Sequence, residues 1–153
     1  MKELVGNVIK EIYVNEDQSI IRFVTDIGDL CYIAEGDCCS ETWFADILFS
    51  YRFFCGRKVA EVVELEIPDF VTKMANSDGR TRQEYDEVYG YQIVVERQNN
   101  YSYGSAESCD IIFRNSSNGY YGGSCEFMNP ENKRHKEKLA ESEWARISED
   151  WKA

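Results

Sequence analysis

The sequence predicts an α+β fold, in which an antiparallel β-sheet carries a short helix and a longer C-terminal helix. Short segments of alternating apolar and polar residues, separated by turn residues, predict the sheet. Apolar residues at helical spacing behind candidate N-caps predict the two helices. The 153 residues suit a single domain, with a sheet-based core over 1–128 and a helix over 129–153.

Seven segments have the length and composition of β-strands. The turn residues at 15–18 and 26–29 join the first three strands into an antiparallel meander. Polar or glycine-rich stretches at 76–82, 99–107 and 115–123 predict loops. The predicted strands are Val5–Val14, Ile20–Thr25, Leu30–Ala34, Val59–Ile67, Glu87–Arg97, Cys109–Arg114 and Ser124–Met128.

The first predicted helix spans about 41–50, where Ser40 is the N-cap and the apolar residues behind it have helical spacing. These residues are Trp43, Phe44, Ile47 and Leu48. The second predicted helix begins with Asn129 as N-cap and Pro130 at the first helical position, and it runs to about Glu149. Its apolar face consists of Ala140, Trp144, Ile147 and Trp151.

The formal net charge of -11 argues against binding to long nucleic acids, because phosphate contacts need an extended positive surface. No apolar run is long enough to span a membrane, and the first residues lack the apolar stretch of a secretory signal. Residues 131–153 are neutral, so the whole negative charge lies in 1–130. Arg134 and Lys138 lie four residues apart on the predicted helix and can hold a diphosphate, although a charged helix face is more often only solvated.

The six cysteines predict free thiols rather than disulfides or a metal site. Without an export signal we expect a reducing cytosol, and the sequence has no C-x-x-C pair and a single histidine, His135. We therefore expect neither a metal nor a cofactor. We expect the adjacent Cys38 and Cys39 to be architectural, with thiols that pack beneath Trp43.

The stretch from Arg114 to Gly123 predicts a ligand-binding loop. Its glycines allow close backbone approach, its Ser and Asn side chains suit ribose or base edges, and its tyrosines can stack on a base. Arg114 can contact a phosphate. The alternative is a tight hairpin, for which Asn-Gly is the commonest signal. The candidate residues are Arg114, Asn115, Ser116, Ser117, Asn118, Gly119, Tyr120 and Tyr121.

The tyrosines are unevenly distributed, and seven of the ten lie between 85 and 121. Tyr89 and Tyr91 share a strand face, which can hold a purine but more often packs within the protein or at an interface. Glu64 and Glu66 also share a face, and such pairs are mostly solvated. The sequence lacks a catalytic triad and a phosphate-binding glycine motif, so we expect a binding protein and not an enzyme.

Two stretches resemble a family of small phage and prophage proteins that includes the phage anti-Thoeris sponges. The first is Gly36-Asp37-Cys38-Cys39-Ser40 followed by Thr42-Trp43-Phe44, and the second is the Arg114–Gly123 stretch. The similarity covers roughly residues 4–128. It implies a protein that sequesters cyclic ADP-ribose isomers, the signals of the Thoeris immune system, without cleaving them. It further implies a homo-oligomer built from dimers with pockets at subunit interfaces, in the cytoplasm of the infected bacterial host. Some family members also bind cyclic oligonucleotides.

Two other functions stay open. An acidic protein can imitate DNA and block a host nuclease or a CRISPR effector, and that contact would weaken steeply with salt. A metal-dependent enzyme that cleaves the same signals would use Glu64 and Glu66, although few residues support it.

Overall fold

The computed structural model describes residues 1–66, 85–97, 107–118 and 122–153. The predicted loop at 76–82 and all but Glu107 of the predicted turn at 99–107 lie outside the described residues. The strands are β1 (Ile9–Asn15), β2 (Ile20–Thr25), β3 (Gly28–Gly36), β4 (Glu41–Leu48), β5 (Val59–Leu65), β6 (Tyr85–Val95), β7 (Ser108–Ser117), β8 (Gly123–Phe127), β9 (Trp144–Ile147) and β10 (Trp151–Lys152). The helices are a 3₁₀ turn (Lys2–Leu4), α1 (Tyr51–Phe54) and α2 (Lys133–Glu141).

The described strands form two antiparallel sheets. The first sheet has the order β8-β3-β2-β1-β9 and the second has the order β10-β4-β7-β6-β5. The predicted meander is confirmed, because β1 pairs with β2 and β2 with β3. The predicted strands at 59–67, 87–97, 109–114 and 124–128 correspond to β5, β6, β7 and β8, with shifted ends.

One apolar core lies between the inner faces of the two sheets. Phe23 and Tyr32 enter it from the first sheet with ring centroids 6.0 Å apart, and Phe44 and Phe113 enter from the second with centroids 6.3 Å apart. Both pairs meet edge to face, the geometry that aromatic quadrupoles favour. A smaller apolar cluster lies on the outer face of the first sheet, where Leu139 of α2 packs against it.

The predicted α+β class is wrong, because the described chain is mostly antiparallel β-sheet and α2 is its one helix longer than four residues. None of the helices in the described ranges is long and apolar enough to cross a membrane. The error arises where strands are buried on both faces, since such strands lose the alternation that distinguishes them from helices.

The predicted helix over 41–50 is strand β4. Ser40 does not cap a helix, and its hydroxyl donates to the Asp37 carbonyl oxygen at 2.8 Å within a turn. Trp43 and Phe44 are both buried although successive strand residues point to opposite faces. A bulge between Phe44 and Asp46 then places Phe44 and Ile47 in the same core, which imitates helical spacing.

The predicted C-terminal helix is nine residues long and is followed by two strands. Its N-cap is Asn132, whose side chain accepts a hydrogen bond from the His135 backbone N–H at 3.2 Å, and not Asn129. After Glu141 the chain turns into β9, which pairs with β1, and then crosses to the second sheet as β10. The Asp150 carboxylate fixes this crossing by accepting from the Phe49 backbone N–H at 2.8 Å.

Candidate functional site

The two stretches that carry the family resemblance are paired side by side in the second sheet. Thr42 lies opposite Asn115, and Trp43 lies opposite Arg114, across β4 and β7. The Asn115 side-chain amide donates to the Thr42 hydroxyl at 2.7 Å, and both residues are buried. The two stretches, about 70 residues apart in sequence, therefore form one structural unit.

Two facing glycines bring the first sheet against this unit. Gly36 of β3 is opposite Gly123 of β8 in the strand register. A Cβ at Gly123 would lie 2.7 Å from the Thr42 hydroxyl oxygen and 2.9 Å from the Asn115 Cβ, and one at Gly36 would lie 2.7 Å from the same hydroxyl. Only residues without a side chain fit this contact, so both glycines have a packing role.

The predicted loop over 115–123 is wrong at both ends, where the chain is in β-strands. Asn115, Ser116 and Ser117 belong to β7, and each is at most 1 % exposed. They form a polar end of the strand, where the Asn115 side-chain amide N–H donates to Thr42 and its Oδ1 is buried without a hydrogen-bond partner among the described residues. Gly123 likewise belongs to β8.

Arg114 is held by a carboxylate within the sheet. Its guanidinium is 3.0 Å from an Asp86 carboxylate oxygen, and both side chains are largely buried. Removing one member of a buried pair costs about 3–5 kcal/mol, because the other charge stays buried without a partner. Arg114 therefore forms a structural ion pair, and its phosphate contact stays a prediction.

The remaining part of the second stretch lies at the protein surface. Asn118 is exposed, whereas Gly119, Tyr120 and Tyr121 lie outside the described residues. The chain re-enters at Gly122, whose carbonyl oxygen accepts from the Asp37 backbone N–H at 3.4 Å. A cavity of about 310 Å³ opens here between the ends of β3 and β8. Its lining consists of Glu35, Gly36, Asp37, Gly122, Gly123, Ser124 and Glu126. We call it the motif cavity.

The two cations predicted on the C-terminal helix each face a carboxylate of the first sheet. Arg134 of α2 forms an ion pair with Glu35, which places it at the rim of the motif cavity. Burial alone would raise the pKa of Asp17, but hydrogen bonds from Ser19 and the charge of Lys138 hold it below its ordinary value. Arg134 is 63 % exposed, and exposed pairs contribute about 0–1 kcal/mol, so a bound phosphate can displace Glu35.

Tyr89 and Tyr91 share one strand face, as predicted, and both stack on Phe113. Their ring centroids are 5.0 and 6.1 Å from that of Phe113. The Tyr89 hydroxyl donates to the Glu87 carboxylate, and burial followed by this hydrogen bond raises the pKa of Tyr89 to about 12. A cavity of about 130 Å³ beside them is too small for a purine, so these rings serve packing.

Cys38 and Cys39 do not pack beneath Trp43. Both are exposed, their sulfur atoms are 3.4 Å apart, and Cys39 has the positive φ of 67°. His135, the single histidine, accepts a hydrogen bond from the Asn129 backbone N–H through Nδ1 at 3.1 Å. In the ranges that the structure describes, no three His, Cys, Asp or Glu side chains converge as a metal site would require.

Arg22 is a cationic residue that the sequence did not single out. It lies between the rings of Tyr13 and Trp144 beside a second cavity. The contact between Arg22 and Tyr13 is predictable from the sequence, because the turn at 15–18 joins two antiparallel strands in which Tyr13 lies opposite Arg22. The contact with Trp144 could not be predicted, because its spacing predicts a position on the face of the C-terminal helix.

No family model, no curated protein and no solved structure matches this chain.

Proposed function

We propose that this protein binds and sequesters a cyclic ADP-ribose-type nucleotide signal of the Thoeris immune system without cleaving it. The proposed place of action is the cytoplasm of the infected bacterial host, and the proposed working form is a homo-oligomer built from dimers. Cyclic oligonucleotides are a possible second class of ligand under the same proposal.

The observation that carries the proposal is the meeting of the two family-like stretches at the motif cavity. The first stretch contributes Gly36 and Asp37 to the lining, and the second contributes Gly122 and Gly123. Arg134 supplies a cation at the rim through its exposed pair with Glu35. The two stretches, noted for their resemblance, and Arg134, noted for its charge and spacing, therefore lie around one cavity.

The polar groups around this cavity suit the parts of a cyclic dinucleotide-like molecule. Carboxylates such as Glu35 and Asp37 can accept hydrogen bonds from ribose hydroxyls, the role that an acidic residue has in dinucleotide-binding folds. The diphosphate needs cations, and Arg134 with Lys138 on the same helix can supply them. Sequestration of a scarce signal at nanomolar Kd requires about -12 kcal/mol, which favours a pocket closed by a second subunit over an open surface.

A matched pair of charge variants tests the site on α2. Arg134→Gln with Lys138→Gln should weaken binding of a cyclic ADP-ribose isomer by about tenfold or more, measured by isothermal titration calorimetry, because two charge-assisted contacts are lost. Lys133→Gln with Lys136→Gln removes the same charge from the same helix, where Lys133 is 91 % exposed and pairs with Glu137. This control should bind like the parent protein.

Equal weakening in both variants would show that only the overall charge matters, and it would remove the site assignment. Unchanged binding in both variants would place the ligand elsewhere on the protein. Thermal unfolding of each variant accompanies the titration, so that a loss of fold is not read as a loss of contact.

The edge strand β5 favours a second candidate function, inhibition of a basic protein by imitation of DNA. Glu61, Glu64 and Glu66 are all exposed there, at the edge of the second sheet. A DNA-imitating inhibitor would bind a basic nuclease with an affinity that falls steeply as salt rises. Co-purification with such a nuclease at low salt, together with no affinity for cyclic ADP-ribose isomers, would favour this candidate.

A further inference from the structure

A second cavity lies on the outer face of the first sheet, at the end of β3 remote from the motif cavity. Its volume is about 270 Å³, and α2, β9 and the chain after β8 cover it. Cys31, Met128 and Leu139 give it an apolar wall. The full lining is Arg22, Asp29, Leu30, Cys31, Phe127, Met128, Pro130, Leu139 and Trp144. We call it the Arg22 cavity.

The one cationic group in this lining is the Arg22 guanidinium, which lies between two aromatic rings. The Arg22 Cζ atom is 4.5 Å from the Tyr13 ring centroid and 4.4 Å from the Trp144 ring centroid. Cation–π contacts of this kind contribute about 0.5–2 kcal/mol and fix the orientation of the plane. The rings therefore hold Arg22 in place without using its hydrogen-bond donors.

The Nε donor of Arg22 lacks an acceptor in the part of the chain that the structure describes. The Arg22 Nε atom is buried and makes no hydrogen bond, and its nearest carboxylate oxygen, Asp29 Oδ2, is 4.0 Å away. A guanidinium offers five N–H donors in a fork that matches a carboxylate or a phosphate. An oxyanion in the cavity can accept hydrogen bonds from this guanidinium.

The charges around the cavity select an anion over a cation. The Asp29 side chain is 51 % exposed, so water already solvates its charge, whereas the Arg22 side chain is 24 % exposed and partly withdrawn from water. An electrostatic interaction is stronger where the dielectric constant is lower. The size of the cavity is that of a single-ring molecule, since about 150 Å³ is enough for benzene.

We propose that the Arg22 cavity binds a small amphiphilic anion, whose oxyanion meets the Arg22 guanidinium and whose ring lies against Cys31, Met128 and Leu139. The shared chemistry is a carboxylate or a phosphate on a single ring. This site is independent of the proposed nucleotide sequestration, because it shares no lining residue with the motif cavity.

Fluorine NMR with three probes of equal ring size tests this proposal. The probes are para-fluorobenzoate, para-fluorophenyl phosphate and para-fluorobenzylamine. Binding of either anion at millimolar concentration, with no binding of the cationic amine, is the expected result, and the preferred anion identifies the class of head group. Binding of all three probes alike, or of none, would overturn the proposal.

Variants then assign the binding to Arg22. Arg22→Met should weaken anion binding by about tenfold or more, and Asp29→Asn should strengthen it by removing a competing carboxylate. Arg52→Met is the matched control, since Arg52 also lies over an aromatic ring, 5.5 Å from that of Phe53, but outside the cavity. If Arg22→Met fails to fold, Leu139→Trp fills the cavity from the helix and should block the anion. Anion binding that survives both changes would refute the assignment.

Discussion

Three arginines of this protein have different partners, and the partner determines what each can bind. Arg114 is committed to Asp86 within the second sheet. Arg134 has an exposed pair with Glu35 that a phosphate can replace. Arg22 lies between two rings, and its Nε atom makes no hydrogen bond in the described residues. The sequence singled out Arg114 and Arg134 by their neighbours along the chain, whereas availability depends on neighbours in space.

The six cysteines also separate by environment, which leads to a prediction about reactivity. Burial raises the pKa of Cys31 and Cys125 to about 12, and it raises that of Cys109 well above its ordinary value. Cys38 and Cys39 are exposed. Because the thiolate is the reactive form, iodoacetamide should modify the exposed pair first, and mass spectrometry of the peptides gives the order.

The pH dependence of this labelling has a definite direction. Raising the pH from about 7 to about 9 should speed labelling of the exposed Cys38, even though the hydrogen bond with Cys39 raises the pKa of the Cys38 thiol above its ordinary value. Cys31 and Cys109 should stay unlabelled until the protein is unfolded, since both thiols are buried and burial raises the pKa of each. Rapid labelling of either buried thiol in the folded protein would contradict the described core.

At the scale of elements, the contact between the β3–β8 pair and the β4–β7 pair depends on two glycines. Gly123→Ala should lower the free energy of unfolding by about 1–3 kcal/mol, because its Cβ would overlap Thr42 and Asn115. Gly122→Ala is the matched control, since its Cβ would make an ordinary contact, 3.4 Å from the Tyr89 hydroxyl oxygen. Urea unfolding measures both, and equal stability of the two variants would show that the sheets do not pack this closely.

The hairpins were predictable from sequence, whereas the elements buried on two sides were not. Strands β1 to β3 keep an alternating pattern and short turns, so the meander was predicted correctly. In β4, Trp43 and Phe44 are both buried and a bulge follows, so its apolar spacing resembles that of a helix. Among the candidate site residues, Asn118 and Arg134 lie at the surface, while Asn115 to Ser117 are buried by strand pairing that no local pattern reveals.

In the second half of the C-terminal segment, the sequence pattern again predicts a helix where the structure has a strand. Trp144 and Ile147 have helical spacing, but as strand residues they point to opposite faces of the first sheet. Ile147 enters the core between the sheets, and Trp144 packs with the outer cluster beneath α2. The choice between helix and strand is made by pairing with β1, about 130 residues earlier in the chain.

On the scale of the whole molecule, the net charge of -11 is compatible with a small anionic ligand. Long nucleic acids need many phosphate contacts, whereas a cyclic nucleotide needs two or three local cations. The described structure has such local cations at Arg134 on α2 and at Arg22. Each lies near a carboxylate, Glu35 and Asp29 respectively, that would repel or compete with a bound anion. Binding of an anion should therefore weaken with salt less steeply than binding of a basic protein to the acidic surface.

The most direct test of sequestration is the recovery of ligand from the protein. The purified protein is saturated with a cyclic ADP-ribose isomer, freed of excess ligand, and heated until it unfolds, and the supernatant is analysed by mass spectrometry. Sequestration predicts that the isomer is recovered intact and in stoichiometric amount. Recovery of a hydrolysed product, or of no ligand from a protein that was folded when loaded, would contradict the proposed function.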